Sequence, residues 1–149
     1  METYININEA GELIGNYCSG KAYFAQTDER KAALLELATL GINSLGDAAF
    51  GLGYKGNKLR SDQKNEFPRD LFDPVPFEVK LACAAEAAML AGGEDEERLR
   101  LRRNGVSGVS INGASESFKP VSRIEGLVSR SAFSLLVPFL NRGESAEIR

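Results

Sequence analysis

Residues 76–93, PFEVKLACAAEAAMLAGG, constrain the fold more than any other stretch of the chain. Pro76 suits the opening of a helix, where its missing N–H is one that the first turn leaves unpaired anyway. Gly92 and Gly93 suit its end. Between them stand many alanines, strong helix formers whose small side chains let a neighbouring helix approach closely. A segment of this kind predicts helix packed on helix.

Two more stretches before it carry helix signals. INEAGELIGNY follows Asn6, which with Glu9 has the spacing of a capping box, although Gly11 and Gly15 weaken the helix. A stronger helix begins where Thr27 caps and Asp28 and Glu29 meet the positive first turn. Its Leu34, Leu37, Ala38, Gly41, Ile42 and Leu45 recur at helical spacing and are expected to form one buried stripe. A last helix is expected across RIEGLVSRSAFSLLVPFL at 123–140, bent or shortened near Pro138. Residues 46–75 read as one long irregular segment, rich in glycine and polar residues, with Pro68 and Pro74 towards its end. A loop this long in a compact domain is functional or pinned by a partner. The fold class expected is mainly α: one small bundle of about four helices over residues 1–140. A tail, 141–149, is expected to be mobile when unbound.

At 149 residues the chain is long enough to bury a core without disulfides. Its net charge of -3 counts against a dedicated DNA-binding domain, because phosphate neutralisation dominates such affinities. The chain has two cysteines, Cys18 and Cys83, and no histidine. That set cannot supply a tetrahedral zinc site and excludes every histidine-based triad. Cys83, among alanines, reads as a small buried residue. No apolar run approaches the ~20 residues that span a bilayer, and METYININEAGEL has neither the basic nor the apolar part of a signal peptide. These features predict a protein made in a reducing cytosol, without membrane contact, cofactor or metal.

The candidate chemical motifs are weak. Gly51, Gly53 and Gly56 match GxGxxG, but a helix precedes them and no helix follows at once, so they read as a turn and not a dinucleotide site. Glu86 is the one acid amid an alanine face, with no second carboxylate placed to split its pKa from a partner's. No catalytic residue is assigned. Arg98, Arg100, Arg102 and Arg103 form the most basic run. A nucleic-acid patch would want aromatics nearby for stacking, and none stands between Phe77 and Phe118. Residues 94–103 also read both ways: Glu94–Arg98 and Glu96–Arg100 suit a helix, while Leu99 and Leu101 alternate with arginines as in a strand.

The clearest local signal is a β-hairpin near 105–119. Asn112-Gly113 is a favoured two-residue turn between β-compatible runs. That turn puts Val109, Ile111 and Phe118 on one face, opposite Gly108, Ser110, Ser115 and Ser117. A lone hairpin is marginal in water. Its apolar face lies either on the protein's own helices or on a neighbouring subunit.

Taken in order, several segments resemble a family of small tailed-bacteriophage proteins, the head–tail connector or adaptor proteins, often labelled "DnaT-like ssDNA-binding". The resembling residues are YININEA at 4–10, KAALLELAT at 31–39, and YKGNK at 54–58 followed by Gln63 and FPR at 67–69. PFEVKLACAAEAA at 76–88, NGVSGVSINGASESF at 104–118 and SLLVPFL at 134–140 complete the set. The chain departs from the family in GDAAFGLG before YKGNK, where relatives often carry a tryptophan, and between Cys18 and Gln26.

The resemblance implies a helical bundle with an inserted β-hairpin, assembled as a dodecameric ring below the portal at the capsid vertex. Such a ring extends the DNA channel and connects capsid to tail, without chemistry. Its partners would be its own copies, the portal protein, a downstream neck or tail protein, and genomic double-stranded DNA passing through the lumen without specific binding. An acidic lumen suits sliding DNA. The protein would then reside in the virion. The four arginines with Val109, Ile111, Asn112, Gly113 and Phe118 would make subunit or portal contacts. The C-terminal arm would dock on the portal through Ile148 as anchor, with Glu144, Glu147 and Arg149 as polar contacts. Two other readings stand beside it: a DnaT-like single-stranded DNA-binding protein, and a small cytosolic regulator acting through protein contacts.

Overall fold

The computed structural model describes residues 2–46, 53–92 and 127–141. These are mainly helical. Five α-helices follow one another among the described residues: α1 (Ile7–Tyr17), α2 (Lys21–Phe24), α3 (Asp28–Ser44), α4 (Phe77–Ala91) and α5 (Arg130–Leu136), the last continuing into a 3-10 turn over Val137–Phe139. No strand occurs among these residues, and only isolated bridges link extended backbone, such as Tyr54 with Leu140. The expected hairpin at 105–119 and all but Asn141 of the expected tail at 141–149 lie outside the described residues.

The helices start where local chemistry places them. The Glu9 N–H donates to Asn6 Oδ1 at 2.8 Å and the Asn6 N–H to Glu9 Oε1 at 3.0 Å, which completes the capping box of α1. Thr27 Oγ1 accepts from the Arg30 N–H at the head of α3. Pro76, expected inside the start of α4, is its cap, in extended backbone with ψ 150°; Phe77 is the first helical residue, and Gly92 closes the helix.

Between Cys18 and Gln26, where the chain departs from the family it resembles, lies a short helix, α2. Two expectations need correction. The last helix begins at Arg130 and not near 123, because Ser129 Oγ accepts from the Ala132 N–H and caps it there. Pro138 sits in the 3-10 turn that ends it. In α3, Leu34, Ala38, Gly41 and Ile42 are buried as expected, but Leu37 is 47% exposed. Leu35 and Thr39 are buried instead.

Helix α4 is the centre of the molecule, in contact with α1, α2, α3 and α5. A helix enclosed on several sides must be apolar nearly all round. Val79, Ala82, Cys83, Ala84, Ala87, Ala88 and Leu90 are all buried on it. The small side chains let α3 come close, and the two helices meet where Thr39 Oγ1 lies 3.7 Å from Cys83 Sγ. Around them Ile14, Tyr23, Leu34, Ile42, Leu127 and Leu136 join the core. No described helix is long and apolar enough to cross a membrane.

Candidate interaction surface

The irregular segment 53–76 is held from within. Arg69 is 6% exposed, and its guanidinium N–H groups are aimed at backbone carbonyls. Nε donates to Lys55 O at 2.8 Å, Nη2 to Gly56 O at 2.6 Å and Tyr54 O at 3.3 Å, and Nη1 to Glu66 O at 3.1 Å. Nη1 also meets Glu66 Oε1 at 2.7 Å, a pair shielded from water. Irregular backbone has no ladder to satisfy its carbonyls, and the rigid five-donor fork of arginine supplies that need. Gln63 does the same at the tip: Nε2 donates to Asn65 O and Pro68 O, both at 2.8 Å, while Oε1 accepts from the Arg60 N–H.

The segment is also fastened to the bundle. Phe67 is buried against Tyr4, Tyr54 and Phe139, whose ring centroids lie 6.2, 4.8 and 5.8 Å away. The Tyr4 hydroxyl donates to Asn43 Oδ1 at 2.5 Å and accepts from the Phe67 N–H at 3.1 Å. Burial pushes the pKa of this hydroxyl and that of Tyr54 well up. The Tyr54 hydroxyl donates to Ile42 O at 2.6 Å. Gly53 and Gly56, read as a turn, have φ of +74° and +78°. At Gly56 a Cβ would collide with Asp70 Oδ1, which accepts from the Asn57 N–H. Thus the long segment is a fixed part of the surface, and it holds Leu59 and Leu71 outward, 45% and 63% exposed.

Glu86, the acid on the alanine face, is buried and holds the chain where it returns to the bundle. Its Oε1 accepts from Val128 N–H at 3.0 Å and Ser129 N–H at 2.9 Å, and Oε2 accepts from Val128 N–H at 2.9 Å. The carboxylate therefore closes backbone donors just before α5. It is an anchor within the fold.

Beside it, α2, α4 and α5 enclose an open groove of about 750 Å³. Leu81, Ala85 and Met89 of α4 and Leu135 of α5 line it, with Cys18 at its edge. Burial raises the Cys18 thiol pKa. Among the described residues no group of three or more His, Cys, Asp or Glu side chains is placed to hold a metal ion.

The site residues expected from the sequence, Arg98, Arg100, Arg102, Arg103, Val109, Ile111, Asn112, Gly113, Phe118, Glu144, Glu147, Ile148 and Arg149, lie outside the described residues. The sequence reading assigned no role to Arg69 or Leu71. Arg69 stood inside FPR, where only its burial amid unpaired carbonyls reveals what it does. Comparison with protein-family models, curated proteins and solved structures finds no match.

Proposed function

We propose that the chain is a head–tail adaptor of a tailed bacteriophage, a structural protein that forms a ring under the portal, extends the DNA channel and receives the next tail-side protein. The observation that carries this reading is the built segment 53–76. Of the residues on which the resemblance rests there, Lys58, Gln63 and Arg69 donate to backbone carbonyls of the segment. They hold Leu59 and Leu71 outward on a rigid support, as a surface made for assembly requires. On α3, Leu37 and Leu40 stand 47% and 51% exposed and one turn apart, which suits a second contact face. In this reading residues 105–119 form the inserted β-hairpin, and their apolar side chains with the arginines at 98–103 make subunit or portal contacts. Residues 141–149 dock on the portal, where repetition around a ring multiplies a weak contact.

Electron microscopy of the purified protein mixed with portal rings tests the reading. Added ring density under the portal is the expected result, and deletion of 141–149 should abolish co-sedimentation. Submicromolar affinity for single-stranded DNA that falls when Arg100, Arg102 and Arg103 become Ala, with no portal binding, replaces the adaptor by the single-strand binder.

A further inference from the structure

The groove between α2, α4 and α5 is apolar, and its floor is unfinished: Leu81, Ala85, Met89 and Leu135 are only half-buried there. The described chain leaves at Gly92 and re-enters at Leu127. Gly92 and Ser129 both line this groove. Residues 93–126 are thus tethered at both ends to the same hollow, and an extended chain advances roughly 3.3 Å per residue, so neither tether keeps 105–119 from reaching it. In sequence that stretch has an apolar set, Val109, Ile111 and Phe118, among serines and glycines.

We infer that in the unassembled chain this groove is the seat of the chain's own Val109, Ile111 and Phe118. Tethering at both ends gives the segment an effective concentration of order millimolar at its own groove, far above that of any other copy in dilute solution. Burying the set against Leu81, Ala85, Met89 and Leu135 removes apolar surface of both from water. This contact does not depend on the ring, so failure of the adaptor reading leaves it standing.

Cys18 provides the probe, since it lines the groove and is only half-buried. Cys83 does not compete: it is fully buried, and its thiol is pushed up to about 12. Val109→Cys, Ile111→Cys and Phe118→Cys are made singly in the full chain and oxidised mildly at submicromolar concentration. The products are read by non-reducing electrophoresis and peptide mapping. An intramolecular disulfide to Cys18, in roughly tenfold higher yield than from Ser61→Cys in the exposed loop, is expected. A disulfide between chains would show that a second copy fills the groove, and no enrichment would show that nothing in 105–119 sits there; either overturns the inference. Ala85→Arg checks it with the segment itself unaltered. Tryptic cleavage after Arg102 and Arg103 should then rise roughly tenfold with helix content unchanged, and an unchanged rate also overturns it.

Discussion

Arg69 and Glu86 carry opposite charges and are buried for the same reason: each satisfies backbone groups that no helix or strand pairs. Arg69 takes carbonyls and Glu86 takes N–H groups, so neither is a surplus charge in the core. Cys83 shows the other way to bury a polar atom, as a neutral thiol beside Thr39. Burial raises its pKa from an ordinary 9.0 to about 12. Above pH 9 the unfolded chain gives up this proton while the folded chain keeps it, so stability is full below pH 9 and falls as pH rises towards 12. The slope from one such group is at most about 1.4 kcal/mol per pH unit. Cys18, also raised from 9.0 by burial, acts in the same direction, as do Tyr4, Tyr23 and Tyr54, but the tyrosines only above their ordinary 10.0. Cys83→Ala should therefore flatten most of the loss of urea midpoint between pH 9 and 10, apart from the share of Cys18, and make the fall above pH 10 shallower while the tyrosines' share remains. A variant that loses stability between pH 9 and 10 as steeply as the parent would place the responsible proton elsewhere.

The segment 53–76 behaves as an element although it has no regular structure, because Arg69 stands in for a ladder. Arg69→Lys offers three donors on one nitrogen where the fork offers five, and strands at least one buried carbonyl. A loss of about 3 kcal/mol is expected. That corresponds to a melting temperature lower by roughly 6–12 °C in calorimetry. Faster amide exchange at Asp70 and Phe72, whose N–H groups bond within the segment, should accompany it, with α1 little changed. Unaltered exchange there would remove Arg69 from its central place. Elements with local signals were legible in the sequence: Asn6 with Glu9, and Thr27, fix helix starts through partners three residues away. Arg69 was not, since its carbonyl partners reach back as far as Tyr54 through chain without a period. Glu86 was legible as an odd acid on an alanine face, but its partners Val128 and Ser129 lie 42 and 43 residues on. Leu37 was misplaced because α3 has apolar residues on more than one face. Spacing alone then cannot choose which face turns inward.

For the whole molecule, the enclosed α4 settles what remains outside. With one apolar helix wrapped by α1, α2, α3 and α5, the core of the described residues takes in neither Leu37 nor Leu40, which are left on the outer side of α3. Apolar side chains one turn apart form a contiguous patch, and such a patch on a rigid helix suits contact with another surface. Leu37→Glu and Leu40→Glu separate the two roles a leucine can have. If the patch serves assembly, each variant should keep the monomer's urea midpoint nearly unchanged, within about 0.5 kcal/mol as for other surface substitutions. Each should also shift sedimentation from ring towards monomer, because a carboxylate in a closed apolar contact loses hydration without gaining a partner. A fall in midpoint of about 2 kcal/mol or more would instead assign Leu37 and Leu40 to the fold. Rings that persist with both substitutions combined would leave the outward leucines of the pinned segment, Leu59 and Leu71, as the face on which copies meet.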